Sequence, residues 1–92
     1  MGTRVVVSVL GKDRPRVVAT IATTLADNGA NIDDIKQSIL DGDIFSMTML
    51  VTLDESIGSF DKVQDALSQD ATTLGMQVTI QREDVFRFMY EV

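Results

Sequence analysis

The sequence contains neither cysteine nor histidine in its 92 residues. Without cysteine there is no disulfide framework, no thiolate nucleophile and no sulfur ligand for a metal ion. Without histidine the commonest general base of enzymes is missing as well. These absences exclude much of enzyme chemistry, so we predict a protein with no catalytic residue, no metal site and no cofactor.

Basic residues are also scarce, since eight lysines and arginines face fourteen acidic residues and give a formal net charge of -6. A negative protein repels phosphate backbones and anionic lipid surfaces, so neither nucleic acid nor a membrane is a predicted partner. The opening residues lead into a short alternating run rather than a signal-peptide core, a lipidation motif or an apolar stretch of membrane-spanning length. We therefore expect a cytoplasmic protein.

The length predicts one domain covering residues 1–92. Hydrophobic residues make up 45% of the chain and charged residues 24%, which is ordinary globular composition. A chain this short buries only about 60 to 65% of its unfolded surface. A subunit interface would add to its stability, so we expect a homodimer.

The first third of the chain alternates and then changes to helical spacing. Val5, Val7 and Val9 share one face of a predicted central strand. Pro15 suits the first position of a helix, because its missing N–H would have no partner there. The helix ends at Asn28-Gly29, and its apolar stripe consists of Val18, Ile21, Ala22 and Leu25, with Val17 beside it.

The remainder predicts two further strands in a hairpin, a second helix and a last strand. Residues 31–39 read as an edge strand with a bulge near Asp33 and Asp34, because the isoleucines change face there. Asp41-Gly42-Asp43 is a hairpin turn, Ser59 is a helix N-cap and Gly75 a helix end. The order βαββαβ predicts an α+β fold of the ferredoxin-like kind, with a four-stranded antiparallel sheet and both helices on one face.

The tail from about residue 84 to residue 92 is expected to form a short helix. It holds three of the five aromatic residues, namely Phe86, Phe88 and Tyr90. Two interpretations stay open: a flap that covers exposed sheet, or a patch that binds a partner.

Gly11-Lys12-Asp13 opens the first helix, but neither a Walker pattern nor a GxGxxG run is present. What remains is the general property of a helix start, whose free N–H groups attract an anion such as a carboxylate. The segments Gly11–Ala19 and Leu25–Ile32 together resemble the ACT domain, whose first loop reads Asp-x-Pro-Gly and whose second strand begins Gly-x-Asn-Ile. The chain is most similar to small stand-alone bacterial and archaeal ACT proteins, and next to the N-terminal half of formyltetrahydrofolate deformylase and the glycine cleavage repressor.

The resemblance implies a regulatory module that binds a small molecule, an amino acid by preference, and that pairs side by side with a second copy. Its ligand would lie where the first loop of one copy meets the second strand of the other. The carboxylate suits the N–H groups that open the first helix, and the ammonium suits the amide oxygen of Asn31 or the carboxylate of Asp33. The implied ligand-binding residues are Gly11, Lys12, Asp13, Arg14, Pro15, Arg16, Asn31 and Ile32.

Arg16 departs from the family pattern, which usually has glycine at this position. Its side chain either blocks the pocket or clamps a carboxylate. The alternative function is therefore a dimerising adaptor that binds no ligand and regulates a partner protein.

Overall fold

The computed structural model describes residues 2–90, which form one four-stranded antiparallel sheet with two long helices packed on one of its faces. The elements in chain order are β1 (Thr3–Lys12), α1 (Val17–Asp27), β2 (Ala30–Leu40), β3 (Ile44–Leu53), α2 (Phe60–Leu74), β4 (Gln77–Arg82) and α3 (Glu83–Tyr90). The predicted ferredoxin-like βαββαβ fold is confirmed. Residues 91 and 92 of the predicted tail, and the side chains of Met89 and Tyr90, lie outside the described residues.

The strands lie in the order β2-β3-β1-β4, so β1 is central and β2 and β4 are the two edges. The register between β2 and β3 shifts between Ile32 and Asp34, which makes Asp33 the extra residue of a β-bulge. Both the predicted edge position and the predicted bulge are confirmed. The bulge turns the isoleucines of β2 back to the face of the sheet that carries the helices.

The core lies between the sheet and the two long helices, and it confirms the alternation predicted for β1, β3 and β4. Val5, Val7 and Val9 are at most 1% exposed. The inward residues of the other strands are Phe45, Met47, Met49, Val51, Leu53 and Ile80, and the helices contribute Val17, Ile21, Leu25, Val63, Leu67 and Leu74. The buried stripe of α1 thus consists of Val17, Ile21 and Leu25. Val18 and Ala22 are only partly buried, which corrects the predicted stripe.

Helix α1 begins two residues later than predicted, at Val17 rather than at Pro15. The cause is Arg16, whose backbone is left-handed with φ 72° and ψ 8°. These angles resemble the third position of a type II turn, which follows a proline readily and favours glycine. Pro15 therefore belongs to a turn that precedes the helix.

The other turns use the residues that the sequence suggested. Asp41 (φ 53°) and Gly42 (φ 83°) make the tight turn between β2 and β3. The Ser59 hydroxyl accepts a hydrogen bond of 3.3 Å from the backbone N–H of Lys62 at the start of α2. Gly75 ends that helix with φ 68°.

The face of the sheet away from the long helices is partly covered by α3. Phe86 is partly buried against this open face, where it lies close to Val6 and Leu50. Phe88 points away and is 86% exposed. The flap interpretation thus describes Phe86, while Phe88 leaves an exposed aromatic side chain.

Candidate functional site

The loop between β1 and α1 is fixed by contacts at both of its ends. The backbone N–H of Asp13 donates a 2.7 Å hydrogen bond to the carbonyl of Asp43, which ties the loop to the β2–β3 turn. The Arg14 guanidinium donates a 2.7 Å bond to the carbonyl of Leu74, at the end of α2. That carbonyl has no partner within its own helix, so Arg14 stabilises the end of α2.

Gly11 has a packing role in this loop. A Cβ atom built on Gly11 would lie 2.4 Å from the sulfur of the buried Met76 and 3.3 Å from its Cα, so a side chain here would require Met76 to shift. The absence of a side chain at Gly11 therefore lets the chain that enters β4 pack against the end of β1.

An open cleft of about 330 Å³ lies between this loop and the end of α2. It is lined by Lys12, Asp13, Arg14, Leu74 and Gly75. The side chain of Arg16 does not line it. Arg16 instead borders a separate groove along the outer face of α1, together with Ala19 and Thr20.

Few side chains at the start of α1 are placed to accept hydrogen bonds from its unpaired N–H groups. Arg16 makes no side-chain capping bond, and the first turn contains no acidic residue. The positive end of the helix dipole therefore has no negatively charged side chain in its own first turn. Such an end favours a bound carboxylate.

Asn31 lies at the start of β2, where its side chain is part of a polar cluster on the open face of the sheet. Its Nδ2 group donates a 2.7 Å hydrogen bond to Oδ1 of Asp33. The hydroxyl of Thr52 donates to Oδ2 of Asp33, and Nε of Arg4 lies 3.7 Å from the same oxygen. Ile32 points to the other face and packs against the core.

The hydrogen bonds from Thr52 and Asn31, with the charge of Arg4, hold the pKa of Asp33 below its ordinary value of 3.8. Asp33 therefore keeps its negative charge under neutral conditions. An ionised carboxylate beside Asn31 suits a ligand ammonium group.

The two halves of the predicted site lie at opposite ends of the sheet within one chain. Asn31 pairs with Thr52, which pairs with Arg4, whereas Gly11 at the other end of β1 pairs with Phe45. Arg4 and Gly11 are seven residues apart on a strand, which corresponds to about 23 Å. One chain alone therefore does not bring Asn31 and Ile32 to the loop that contains residues 11–16.

Sequence reasoning did not identify the ion pairs that join this cluster to α3. Arg4 lies 3.8 Å from the carboxylate of Glu83, and Glu83 lies 3.1 Å from Arg87. Glu83 and Arg87 have the i,i+4 spacing of a helical ion pair, which is a signal that the sequence contained. The link from Asp33 through Arg4 to Glu83 joins residues far apart in the chain, and no local pattern reveals it.

Within residues 2–90 no three acidic, histidine or cysteine side chains converge in a way that would hold a metal ion. Over the same residues, none of the helices combines the length and the apolar character needed to cross a membrane.

The fold and the sequence are both similar to those of known proteins. A family model described as ACT domain matches residues 3–81. A UPF0237 protein of Methanopyrus kandleri is 47% identical over 90 residues, which cover 98% of this chain and 99% of that protein.

The structure of an ACT domain protein from Streptococcus pneumoniae superposes with a TM-score of 0.80 at 31% identity, covering 94% of this chain and 96% of that one. Formyltetrahydrofolate deformylase from Burkholderia mallei has a similar fold in part of its chain. The match has a TM-score of 0.77 at 15% identity and covers 87% of this chain and 28% of that chain.

Proposed function

The chain belongs to the ACT domain family, and on this premise we propose that it is a regulatory module that binds an amino acid and acts as a homodimer. ACT domains are typically regulatory ligand-binding units, and binding of this kind needs no catalytic group. The proposal treats residues 1–92 as a single domain and takes the cytoplasm as the place of action.

The observation that carries the proposal is the position of the two half-sites at opposite ends of one sheet. Strand β2 is an edge, and apart from the partly buried Ala30 and Ile32 its side chains are exposed. When two copies of an edge strand pair antiparallel about a two-fold axis, the start of one lies beside the end of the other. Asn31 of a second copy would then approach the end of the sheet that holds the loop from Gly11 to Arg16.

The chemistry of the two half-sites suits the two charges of an amino acid. The start of α1, with Lys12 at the nearby end of β1, offers N–H groups and a positive charge to the carboxylate. Across the interface, the amide oxygen of Asn31 and the ionised Asp33 offer acceptors to the ammonium. Asn31 donates a hydrogen bond to Asp33 through Nδ2. Its amide oxygen is the atom that would accept a hydrogen bond from the ammonium.

The association state is the first test of this proposal. We expect light scattering to give the mass of a dimer at tens of micromolar protein. A matched variant, Ile39→Lys, places a charge on the edge strand at a side chain that is 47% exposed. It should leave the fold intact and shift the mass towards the monomer, because charges on an edge oppose strand pairing. A monomeric parent would contradict a shared site.

Ligand binding is the second test, made by a thermal-shift screen against the amino acids with titration calorimetry of those that raise the melting temperature. A ligand at about 100 times its dissociation constant adds roughly 2.7 kcal/mol of stability. Asn31→Ala should abolish binding, whereas Asn28→Ala, which alters an amide beyond the end of α1, should not.

A second candidate function is a dimerising adaptor without a ligand. Two observations favour it: Arg16 stands where the family usually has glycine, and Phe88 is 86% exposed. If the parent, Arg16→Gly and Asn31→Ala are all folded dimers and none of them binds an amino acid, the sensing function fails and the adaptor stands.

A further inference from the structure

The open face of the sheet contains a cavity of about 140 Å³ that is open to solvent and borders α3 at Phe86. Val6, Leu50 and Phe86 contribute apolar walls, and Phe86 is the member of the lining that comes from α3. Cavities of roughly 150 Å³ with apolar walls take up molecules as large as benzene. The space therefore fits a small branched hydrocarbon group.

Two residues of opposite charge line the same cavity, and because its wall is almost wholly apolar, their stems rather than their charged groups form that wall. Asp34 and Lys36 both line it and are two residues apart on β2. Side chains at this spacing lie on one face of a strand, about 7 Å apart along it. Asp34 pairs with Leu50 and Lys36 with Thr48 in the neighbouring strand, so both charges stand beside the apolar wall.

Neither charge is neutralised by a partner in the described part of the chain, where the ion pairs join Arg4, Asp33, Glu83 and Arg87. The backbone N–H of Ile35 donates a 2.9 Å hydrogen bond to Oδ1 of Asp34, which orients the carboxylate. Lys36 supplies a mobile ammonium that adapts to its ligand. A carboxylate, an ammonium and an apolar cavity thus lie together on one subunit.

We propose that this cavity is a second binding site, for a free α-amino acid with a small apolar side chain. The ligand ammonium binds Asp34, its carboxylate binds Lys36, and its side chain enters the space beneath Phe86. This site goes beyond the proposed interface site, because one subunit provides all of it and no dimer is required.

The test is titration calorimetry of the full chain with valine as the probe. Isobutylamine lacks the carboxylate and isovaleric acid lacks the ammonium, so we expect each to bind at least about 10-fold more weakly than valine. Asp34→Asn and Lys36→Gln should each weaken valine binding by a similar factor, about 10-fold or more. Leu50→Phe should abolish binding by filling the cavity, with an unchanged circular dichroism spectrum as evidence of folding.

Matched controls come from the exposed face of α2, where Asp65→Asn and Lys62→Gln remove the same charges far from the cavity. Both should bind valine like the parent. Equal losses in these controls would mean that binding does not depend on the charges beside the cavity in particular, and would overturn the proposal.

Different results would contradict the cavity site and the interface site. The cavity site is supported if valine binding is weakened in Asp34→Asn, Lys36→Gln and Leu50→Phe but unchanged in Asn31→Ala and Ile39→Lys. Valine would then not bind at the interface. If Asn31→Ala loses valine while the cavity variants keep it, the cavity site is overturned and the interface site stands. If the parent does not bind valine, the cavity site is overturned, and the screen of the other amino acids decides the interface site separately.

Discussion

Arg16 has a backbone conformation that an L-residue with a side chain adopts at an energetic penalty of about 1–2 kcal/mol. Its φ of 72° lies in the left-handed region that favours glycine. The glycine usual at this position in the family therefore has a conformational reason, separate from any contact with a ligand. Sequence reasoning considered only the ligand contact.

The first prediction follows from this strain. Arg16→Gly should raise the free energy of unfolding by about 0.5–1 kcal/mol, because relief of the left-handed strain exceeds the extra flexibility of glycine in the unfolded chain. Urea denaturation measures it. Arg16→Ala is the matched control, since it removes the same guanidinium but keeps a Cβ, and its stability should stay within about 0.5 kcal/mol of the parent. If Ala stabilises as much as Gly, the strain argument is wrong.

The second prediction concerns the charge of Asp33. Thr52→Val should raise the pKa of Asp33 towards its ordinary value, because the Thr52 hydroxyl is the largest cause of the lowered pKa. NMR titration of the side-chain carboxyl measures this change. Ser56→Ala is the control: it should raise the pKa of Asp54, which Ser56 lowers, and leave Asp33 unchanged.

The sign of the pH dependence follows from the same shift. A carboxyl whose pKa is lower in the folded state favours folding above its unfolded value and loses this contribution as the pH falls through the folded value. The acid limb of the stability curve should therefore be shallower in Thr52→Val than in the parent. An unchanged acid limb would mean that the Thr52–Asp33 bond does not persist in solution.

At the scale of elements, α3 is a short helix that lies on the open face of the sheet. It touches β1 and β4, and Glu83 links it to Arg4. Its two phenylalanines give the third prediction. Phe86→Ala should lower the free energy of unfolding by about 1–2 kcal/mol, less than for a fully buried phenylalanine, whereas Phe88→Ala should change it by under about 0.5 kcal/mol.

Thermal or urea unfolding of the two variants tests this assignment, and each serves as the control for the other. Amide hydrogen exchange should also speed up over residues 84–88 in Phe86→Ala and not in Phe88→Ala, because the partly buried ring of Phe86 holds the helix on the sheet. Equal effects of the two substitutions would mean that α3 is not docked through Phe86.

The elements that sequence could predict are those set by local rules. The alternation of β1, β3 and β4, the turn at Asp41-Gly42 and the ends of α2 all follow from side-chain period and from residues that suit turns and caps. The bulge at Asp33 also left a local trace, because the isoleucines of β2 change parity there. The predicted start of α1 was wrong because proline fits a helix start and a type II turn equally well, and only the fold decides between them.

The candidate sites were harder to predict from the sequence, because they also depend on the fold. Arg14 was predicted as a ligand contact, yet its guanidinium is bound to the Leu74 carbonyl, sixty residues away in the chain. The cavity beneath Phe86 needs three strands and α3 in register before Asp34 and Lys36 border an apolar space. Contacts between residues so far apart in the chain are set by the tertiary structure, and no local pattern in a single sequence reveals them.

At the scale of the whole molecule, the question is whether a working binding site belongs to one chain or to two. The half-site at the start of α1 and the half-site at Asn31 lie at opposite ends of the sheet, so each proposed interface site takes one half from each copy. A two-fold dimer has two such sites. This arrangement makes a prediction that a site within one chain does not share.

The fourth prediction is that two inactive variants restore binding when mixed. Arg16→Glu places a carboxylate at the start of α1 and repels that of the ligand, while Asn31→Lys places an ammonium where the ligand ammonium would lie. Each homodimer then has two defective sites and should not bind an amino acid that the parent binds. A mixed dimer has one site with both substitutions and one with neither, so unfolding and refolding the variants together should restore part of the binding measured by calorimetry. The control is each variant refolded alone, which should stay inactive. If the mixture binds no better than its components while native mass spectrometry detects the mixed dimer, each site lies within one chain and the interface proposal is wrong.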